Sequence, residues 1–345
     1  MNTNDVCKES PTHIMFCMVD HFEPRWNNPS YDTEVKRVDK WVNDFPKIAS
    51  EFKDNSGRPF QYTFFYPEEE YRKEHIDKLK RISESGFGEI EIHLHHHNDT
   101  GEGLKRKVES FKENLSKHGL LSKDNEGNIR YGFIHGNWAL DNSRGDDKWC
   151  GVNNELIILK ETGCYADFTL PSAPDVSQTR KINSIYYAKD DPCKPKSHND
   201  GVDVKVGGKP SGDLMIIQGP LALNWKRRKW GILPRIENGE ISYSNNPIED
   251  RIDLWIKQGI HVKGRPGWIF VKVYTHGTQE HNWDTLLGDP MRKMLSYLDE
   301  KYNDGMQYKL HYVTAREMYN TIKAAEDGMD GDPSKYRDYI LKKRI

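Results

Sequence analysis

The chain has 345 residues, with 51 Lys and Arg against 53 Asp and Glu and a formal net charge of -2. This length can bury a full core as one large domain or two ordinary ones, and the balanced charge favours neither nucleic acid nor an anionic membrane as a partner. The five cysteines have no Cys-x-x-Cys spacing, which argues against a disulfide framework and a thiolate zinc site. Without an apolar run of signal-peptide or membrane-span length, we expect a cytoplasmic protein with no transmembrane segment.

Apolar strands alternate with amphipathic helices from the start of the chain. The first strand is predicted at residues 13–20, followed by a helix at 33–52, a strand at 60–66 and a helix at 67–85. A third strand begins at Glu89, and helices at 104–118 and 153–162 alternate with strands at 131–135 and 165–170. This alternation is typical of a parallel sheet with right-handed crossovers.

The alternation of strands and helices is interrupted between about residues 172 and 258, where Gly, Pro, Asn and Asp are frequent and a strand is predicted only at 214–218. It resumes with strands at 268–274 and 308–313, a helix at 284–303 between them, and a final helix opened by a Thr314–Glu317 capping box. We therefore predict a single (β/α)7-8 barrel domain over residues 1–330. Segment 172–258 is expected to fold over the barrel mouth as an insertion, and residues 331–345 to form a polar tail.

Four histidines lie within five positions in His93-Leu94-His95-His96-His97. On an extended strand, His93 and His97 would lie roughly 13 Å apart. They can share a metal only if the chain turns after about His95, whereas His93 and His95 lie side by side on one face. His96 points the other way and is interpreted as polar surface. Imidazole is the commonest metal-binding side chain, so the cluster predicts a metal site.

Other predicted strands also end in polar side chains. These ends are Asp20-His21, His135-Gly136-Asn137-Trp138, Asp167 and Thr275-His276-Gly277. In parallel barrels, the chemistry lies at the carboxyl ends of the strands. The sequence therefore predicts one site built from several strand ends.

In order and spacing over about residues 10–320, these strand ends resemble the motifs of the polysaccharide deacetylase superfamily (NodB homology, carbohydrate esterase family 4-like). Met18-Val19-Asp20-His21 is similar to its first motif, with His21 in place of a liganding aspartate. The segment 93–99 is similar to the second motif and 135–139 to the third, whose arginine is missing here. Tyr274-Thr275-His276-Gly277 is similar to the motif whose histidine is the general acid.

The resemblance implies a metal-dependent deacetylase. One divalent ion would be held by His93, His97 and either His21 or Asp20, with zinc as the default for imidazole ligands and Co, Ni or Fe also suited. Asp20 would be the base and His276 the acid. The implied substrate is an acetylated carbohydrate, and a cytoplasmic location would suit a nucleotide- or lipid-linked precursor.

Substrate contacts are predicted for His135, Asn137 and Trp138, whose ring could stack on a sugar. Trp225 and Arg227, in the basic aromatic run 225–230, are predicted to bind an anionic or diphosphate group of the substrate rather than nucleic acid. Two alternatives stay open. One is a carbohydrate-binding barrel without deacetylase activity, and the other is a different metal-dependent hydrolase such as a phosphoesterase.

Overall fold

A computed structural model describes residues 11–145 and 147–344. The first ten residues of the predicted domain, with Cys7, and the last residue of the predicted tail lie outside the described residues. The strands are β1 (Thr12–His21), β2 (Tyr62–Pro67), β3 (Gly88–Leu94), β4 (Ser122–Lys123), β5 (Ile129–His135), β6 (Cys164–Asp167), β7 (Ile185–Ala188), β8 (Val202–Asp203), β9 (Leu214–Ile217), β10 (Ala222–Lys229), β11 (Leu233–Glu237), β12 (Trp268–Thr275) and β13 (Tyr308–Tyr312). The α-helices are α1 (Tyr31–Glu51), α2 (Lys73–Glu84), α3 (Gly101–Lys117), α4 (Glu155–Thr162), α5 (Glu249–Lys257), α6 (Trp283–Leu286), α7 (Asp289–Tyr302) and α8 (Ala315–Glu326).

The fold is α/β, with a large and mainly parallel sheet in the order β12-β1-β2-β3-β5-β6-β9-β7-β8. On one side, β1 pairs along most of its length with β12. On the other side, its first half pairs with β13 and its last residues pair with β2. No pairing among residues 11–145 and 147–344 joins the two ends of the sheet, so the closed barrel stays a prediction. The sheet is nevertheless strongly curved. Lys272 Nζ on β12 donates to the carbonyls of Phe168 and Leu170 beyond β6, so two strands that are far apart in the strand order lie close together in space.

The two faces of the sheet have separate cores. Phe16 and Met18 on β1 pack in a cluster with helices α1 to α5 and α7, whereas Met15, Cys17 and Val19 pack in a second cluster with α8. This alternation follows from the two-residue period of a strand. It places the odd-numbered residues of β1 on the concave face and the even-numbered residues against the helix layer.

Most predicted elements are present, but the predicted insertion 172–258 is more ordered than its composition indicated. It contains β7, β8 and β9, which extend the main sheet, together with the separate β10–β11 hairpin and α5. The short strands β7 and β8 pair antiparallel, and their four and two residues are too short for a clear periodicity. The tail also packs on the domain, because Arg316 on α8 donates to the Arg337 and Leu341 carbonyls and to Asp338.

Candidate functional site

The carboxyl ends of β1, β3 and β12 bring four imidazoles together. The ring centroid of His21 lies 4.9 Å from that of His93 and 4.7 Å from that of His276. The ring of His95 lies 4.5 Å from that of His93. Parallel strands end on the same edge of a sheet, and each of these residues lies within one residue of the end of a strand. The predicted convergence of polar strand ends is therefore present for these four histidines.

The carboxylate of Glu23 is the centre of this cluster. Its Oε1 lies 3.2 Å from His93 Nε2 and 3.5 Å from His95 Nε2. Glu23 also shares a second group of close potential ligand atoms with His21 and His276. Burial alone would raise the pKa of Glu23, but the hydrogen bond from His93 and the charges of the neighbouring imidazoles outweigh it and lower the pKa to about 2. Glu23 is thus an anion toward which four rings converge.

The rings of His93 and His95 are fixed by groups outside the cluster. His93 Nδ1 donates to the Ile134 carbonyl at 2.7 Å, which leaves Nε2 facing Glu23. His95 Nδ1 lies 2.5 Å from Glu69 Oε1, and its backbone N–H donates to the same carboxylate. A Cβ on Gly136 would lie 2.1 Å from the His95 ring, so a glycine is needed beneath it. Carbonyl and carboxylate partners of this kind commonly orient metal-binding histidines.

The imidazoles of the cluster differ in their protonation. Burial lowers the pKa of His95, but Glu69 and Glu23 outweigh it and raise the pKa to about 9. Burial lowers the pKa of His276, and burial with the charges of neighbouring histidines lowers that of His21 well below its usual range. His21 and His276 are therefore neutral at pH 7, with lone pairs available to a metal or a proton.

The donor set suits a borderline metal ion. The ligand atoms of Glu23, His93 and His95 lie within 4.8 Å of one another, as do those of His21, Glu23 and His276. Several imidazoles with one carboxylate suit Zn, Fe, Co or Ni, whereas Mg and Ca prefer all-oxygen ligands. A cation in this position would replace the protons that the cluster otherwise needs to hold.

Asp20 faces the other side of the sheet. Its Oδ1 accepts from the Gly277 N–H at 2.6 Å and its Oδ2 from the Tyr62 hydroxyl at 3.1 Å. Burial raises its pKa well above the usual range. Because Asp20 is an even-numbered residue of β1, it lies against the helix layer, while His21 and Glu23 lie at the concave edge. The geometry does not support Asp20 as base or ligand; it holds the turn after β12 that carries His276.

His97 and His96 also lie elsewhere than predicted. His97 is exposed, 3.2 Å through its Nδ1 from the Lys148 carbonyl, and its ring contacts Trp149. The structure does not bring it to His93, because the chain leaves β3 after Leu94 and the turn places His95 there instead. The interpretation of His96 as surface is wrong, since its side chain is 1% exposed.

The predicted substrate-binding residues are divided among three places. His135 is fully buried, with Nδ1 donating to the Gly136 carbonyl, so it cannot touch a substrate at the surface. Asn137 and Trp138 follow it with positive φ angles of 54° and 53°. Trp225 is 59% exposed on the β10–β11 hairpin, and Arg227 Nη1 donates to Asn245 Oδ1.

A cavity of about 500 Å³ opens beside His276. Its wall is formed by Trp138, Ser172, Ala173, Pro174, Asp175, Asn238, Glu240, Tyr274 and His276. Of the predicted substrate contacts, only Trp138 is in this wall. The segment after residue 172 does contribute, through residues 172–175 and through Asn238 and Glu240. The cavity is thus lined by two aromatic rings, those of Trp138 and Tyr274, and by several polar groups next to the imidazole cluster.

Sequence reasoning did not place Glu23 or Glu69 among the candidate ligands. Glu23 follows His21 by two residues, a spacing that keeps both on one side of an extended chain, and this was the available signal. Glu69 had none, because it reaches His95 from a short helical turn after β2.

Comparisons with known proteins give little further information. No protein-family model matches the chain, and no curated protein matches it. Among solved structures, the chain is similar to a protein from Parabacteroides distasonis with the provisional name glycoside hydrolase/deacetylase. The TM-score is 0.47 at 14% identity, over 88% of this chain and 69% of that one. A likeness this distant carries no inference about activity. No helix within residues 11–145 and 147–344 combines the length and apolar character needed to cross a membrane.

Proposed function

We propose that the chain is a metal-dependent hydrolase that removes an acyl group, on nitrogen or on oxygen, from a carbohydrate. The observation that carries this proposal is the convergence of His21, His93, His95 and His276 on Glu23 beside the cavity. Such a donor set, open to a cleft on one side, is typical of a catalytic rather than a structural metal. We retain the predicted (β/α) barrel as part of this proposal.

His93, His95 and Glu23 would hold the ion, with His21 completing the set on the side of β1. When bound, a divalent ion would lower the pKa of water and polarise a carbonyl group. His276 is neutral, half-buried and part of the cavity wall. It can therefore take a proton from the attacking water and return it to the leaving group, as a general base and then a general acid. Zinc is the first candidate, with Co, Ni and Fe as alternatives.

The cavity suits a sugar unit. Its volume of about 500 Å³ lies within the usual range for small-ligand sites. Trp138 offers an apolar ring for stacking on a sugar face, and Asp175, Asn238 and Glu240 offer hydrogen-bond partners for hydroxyl groups. A nucleotide- or lipid-linked sugar in the cytoplasm remains our proposed source of the acyl group.

The test is acetate release from zinc-loaded protein, measured on N-acetylated and O-acetylated sugars. We expect release by the wild type and at least a 100-fold loss in His93→Ala/His95→Ala, with a lower zinc content. His97→Ala is the matched control, because it removes an exposed histidine from the same segment, and we expect it to keep both zinc and activity. Absence of acetate release from any acetylated sugar by fully loaded wild type would contradict the proposal.

A second candidate is carbohydrate binding without hydrolysis, which the position of Asp20 favours. Asp20 accepts from the Gly277 N–H and the Tyr62 hydroxyl, so in this candidate the cluster would lack the aspartate base that the resemblance implies. Calorimetric binding of acetylated sugars by zinc-loaded protein that releases no acetate would select this candidate.

A further inference from the structure

A second group of metal-binding side chains lies in the interior, formed by His96, His135, Cys150 and Glu155. One ligand atom from each lies within 4.8 Å of the others. All four are buried, at 1% exposure for His96 and 0% for each of the others. Tetrahedral zinc, with bonds of about 2.0–2.3 Å, needs donors roughly 3.3–3.8 Å apart. Small movements of side chains would bring these four donors to that spacing.

Two of the donors have a carbonyl or carboxylate oxygen beside their outer nitrogen, as metal-binding histidines usually do. His135 Nδ1 donates to the Gly136 carbonyl at 2.6 Å, which leaves the lone pair on Nε2. That buried Nε2 has no hydrogen-bond partner among the described residues, 11–145 and 147–344. His96 Nδ1 lies 3.2 Å from Asp99 Oδ2, and its Nε2 faces Glu155. A carboxylate or carbonyl on the far nitrogen is the usual arrangement behind a zinc-bound histidine.

The other two donors are held by backbone N–H groups. The Val152 N–H donates to Cys150 Sγ at 3.4 Å. Burial and the charge of Glu155 raise the pKa of this thiol to about 11, so a thiolate here needs a cation beside it. Glu155 Oε2 accepts from the Asp141 N–H at 2.5 Å, which leaves Oε1 directed at His96 and His135. One potential donor atom from each of the four residues therefore lies at one buried point, where His96 Nε2 and Cys150 Sγ contact the Glu155 carboxylate.

We propose that His96, His135, Cys150 and Glu155 bind a structural zinc ion that is separate from the Glu23 site. Full burial leaves no position for substrate, and four protein ligands close a structural site. The ion would join the ends of the loop between β5 and α4. That loop contains Asn137, Trp138, Asp141 and Asn142, all non-glycine residues with positive φ. Such backbone persists only where its surroundings fix it, and this loop carries Trp138 to the cavity.

The Glu23 site contains no sulfur, so the two sites can be told apart by cobalt. We would load the full chain with Co²⁺ and record its absorption spectrum. Only a site with a thiolate gives a sulfur-to-cobalt charge-transfer band in the near ultraviolet. We expect this band in the wild type and in His93→Ala/His95→Ala, and its loss in Cys150→Ser. Cys193→Ser, which removes an exposed cysteine, is the matched control and should retain the band.

Cys150→Ser could fail to fold, so a second measurement uses the wild type alone. X-ray absorption at the zinc edge should show a sulfur neighbour at about 2.3 Å. A wild type that shows neither the cobalt band nor a sulfur neighbour would overturn the proposal and leave a buried ion pair between His96, Asp99 and Glu155. Retention of the band in folded Cys150→Ser would also overturn it. Failure of the proposed hydrolase activity would leave both readouts unchanged.

Discussion

The role of Asp20 is open to a direct test, because the resemblance and the structure predict different results for the same substitution. The resemblance makes Asp20 the base, whereas the structure makes it an acceptor for the Gly277 N–H and the Tyr62 hydroxyl. Burial raises the pKa of Asp20 well above its usual range, which favours the neutral carboxyl group, a form close in shape and charge to asparagine. Asp20→Asn can keep an oxygen toward Gly277, while Tyr62 turns its hydroxyl to accept.

We therefore expect Asp20→Asn to lower the free energy of unfolding by only about 1 kcal/mol, the typical worth of one exchanged hydrogen bond. Asp20→Ala leaves two buried groups without partners, at about 1–3 kcal/mol each, so we expect a loss of roughly 2–6 kcal/mol. Urea denaturation measures both values. Hydrolysis by folded Asp20→Asn should stay within about tenfold of the wild type.

Loss of a general base costs typically 10²–10⁴-fold in rate. An Asp20→Asn variant with wild-type stability and zinc content, but with hydrolysis reduced by about 100-fold or more, would refute the positioning role. It would show that the side chain acts on the substrate in a conformation other than the one described. Gly277→Ala extends the test, because the new methyl group would meet Asp20 Oδ2 at 2.1 Å. It should destabilise the protein by about 1–3 kcal/mol.

Three further predictions concern stability. Arg316→Met leaves Glu89 buried without its bidentate partner and should lower the free energy of unfolding, measured by urea denaturation, by about 3–5 kcal/mol. Arg292→Met, which breaks an exposed pair with Glu51, should lower it by less than about 1 kcal/mol. Equal losses would contradict a structural role for the buried Arg316–Glu89 pair. Burial lowers the pKa of Lys272 from 10.5 to about 7, so between these pH values the unfolded chain binds more protons than the folded one and the free energy of unfolding rises with pH. Between pH 7 and 10 this rise should be several kcal/mol larger in the wild type than in Lys272→Met. Parallel curves of stability against pH for the two proteins would argue against a neutral buried amine. Removal of metal with a chelator should lower the Tm of the wild type, because a ligand that binds only the folded state stabilises that state. An unchanged Tm after verified metal loss would contradict both proposed metal sites.

The parts of the fold predicted correctly from sequence are those with long and regular patterns. The apolar run of β1 and the Thr314–Glu317 capping box identified their elements to within one or two residues. β7 and β8 lacked such a pattern, because short antiparallel strands depend on the neighbour with which they pair. The residues around them are rich in glycine and proline, which is typical of loops.

The site was predicted as a cluster but not residue by residue. The alternative of a His93–His95 pair matches the arrangement found, whereas motif alignment favoured His97. Alternation along β1 separates Asp20 from His21, a consequence of strand geometry that the alignment did not take into account. Cys150 lacked a Cys-x-x-Cys partner, so sequence spacing pointed away from a thiolate site. Its neighbour His96 lies in the loop after β3 and His135 ends β5, and only the folded chain brings them together.

The position of β1 between β12 and β13 has a consequence for biosynthesis. Its partners for residues 13–20 are residues 268–275, which leave the ribosome roughly 250 residues after β1. At about 5–20 residues per second, β1 waits roughly 12–50 s for them. During that time an almost wholly apolar segment is open to aggregation or to chaperones, because one of its edges and the first half of the other are unpaired. A nascent chain stalled before residue 268 should therefore retain an exposed β1, however well the intervening helices have formed.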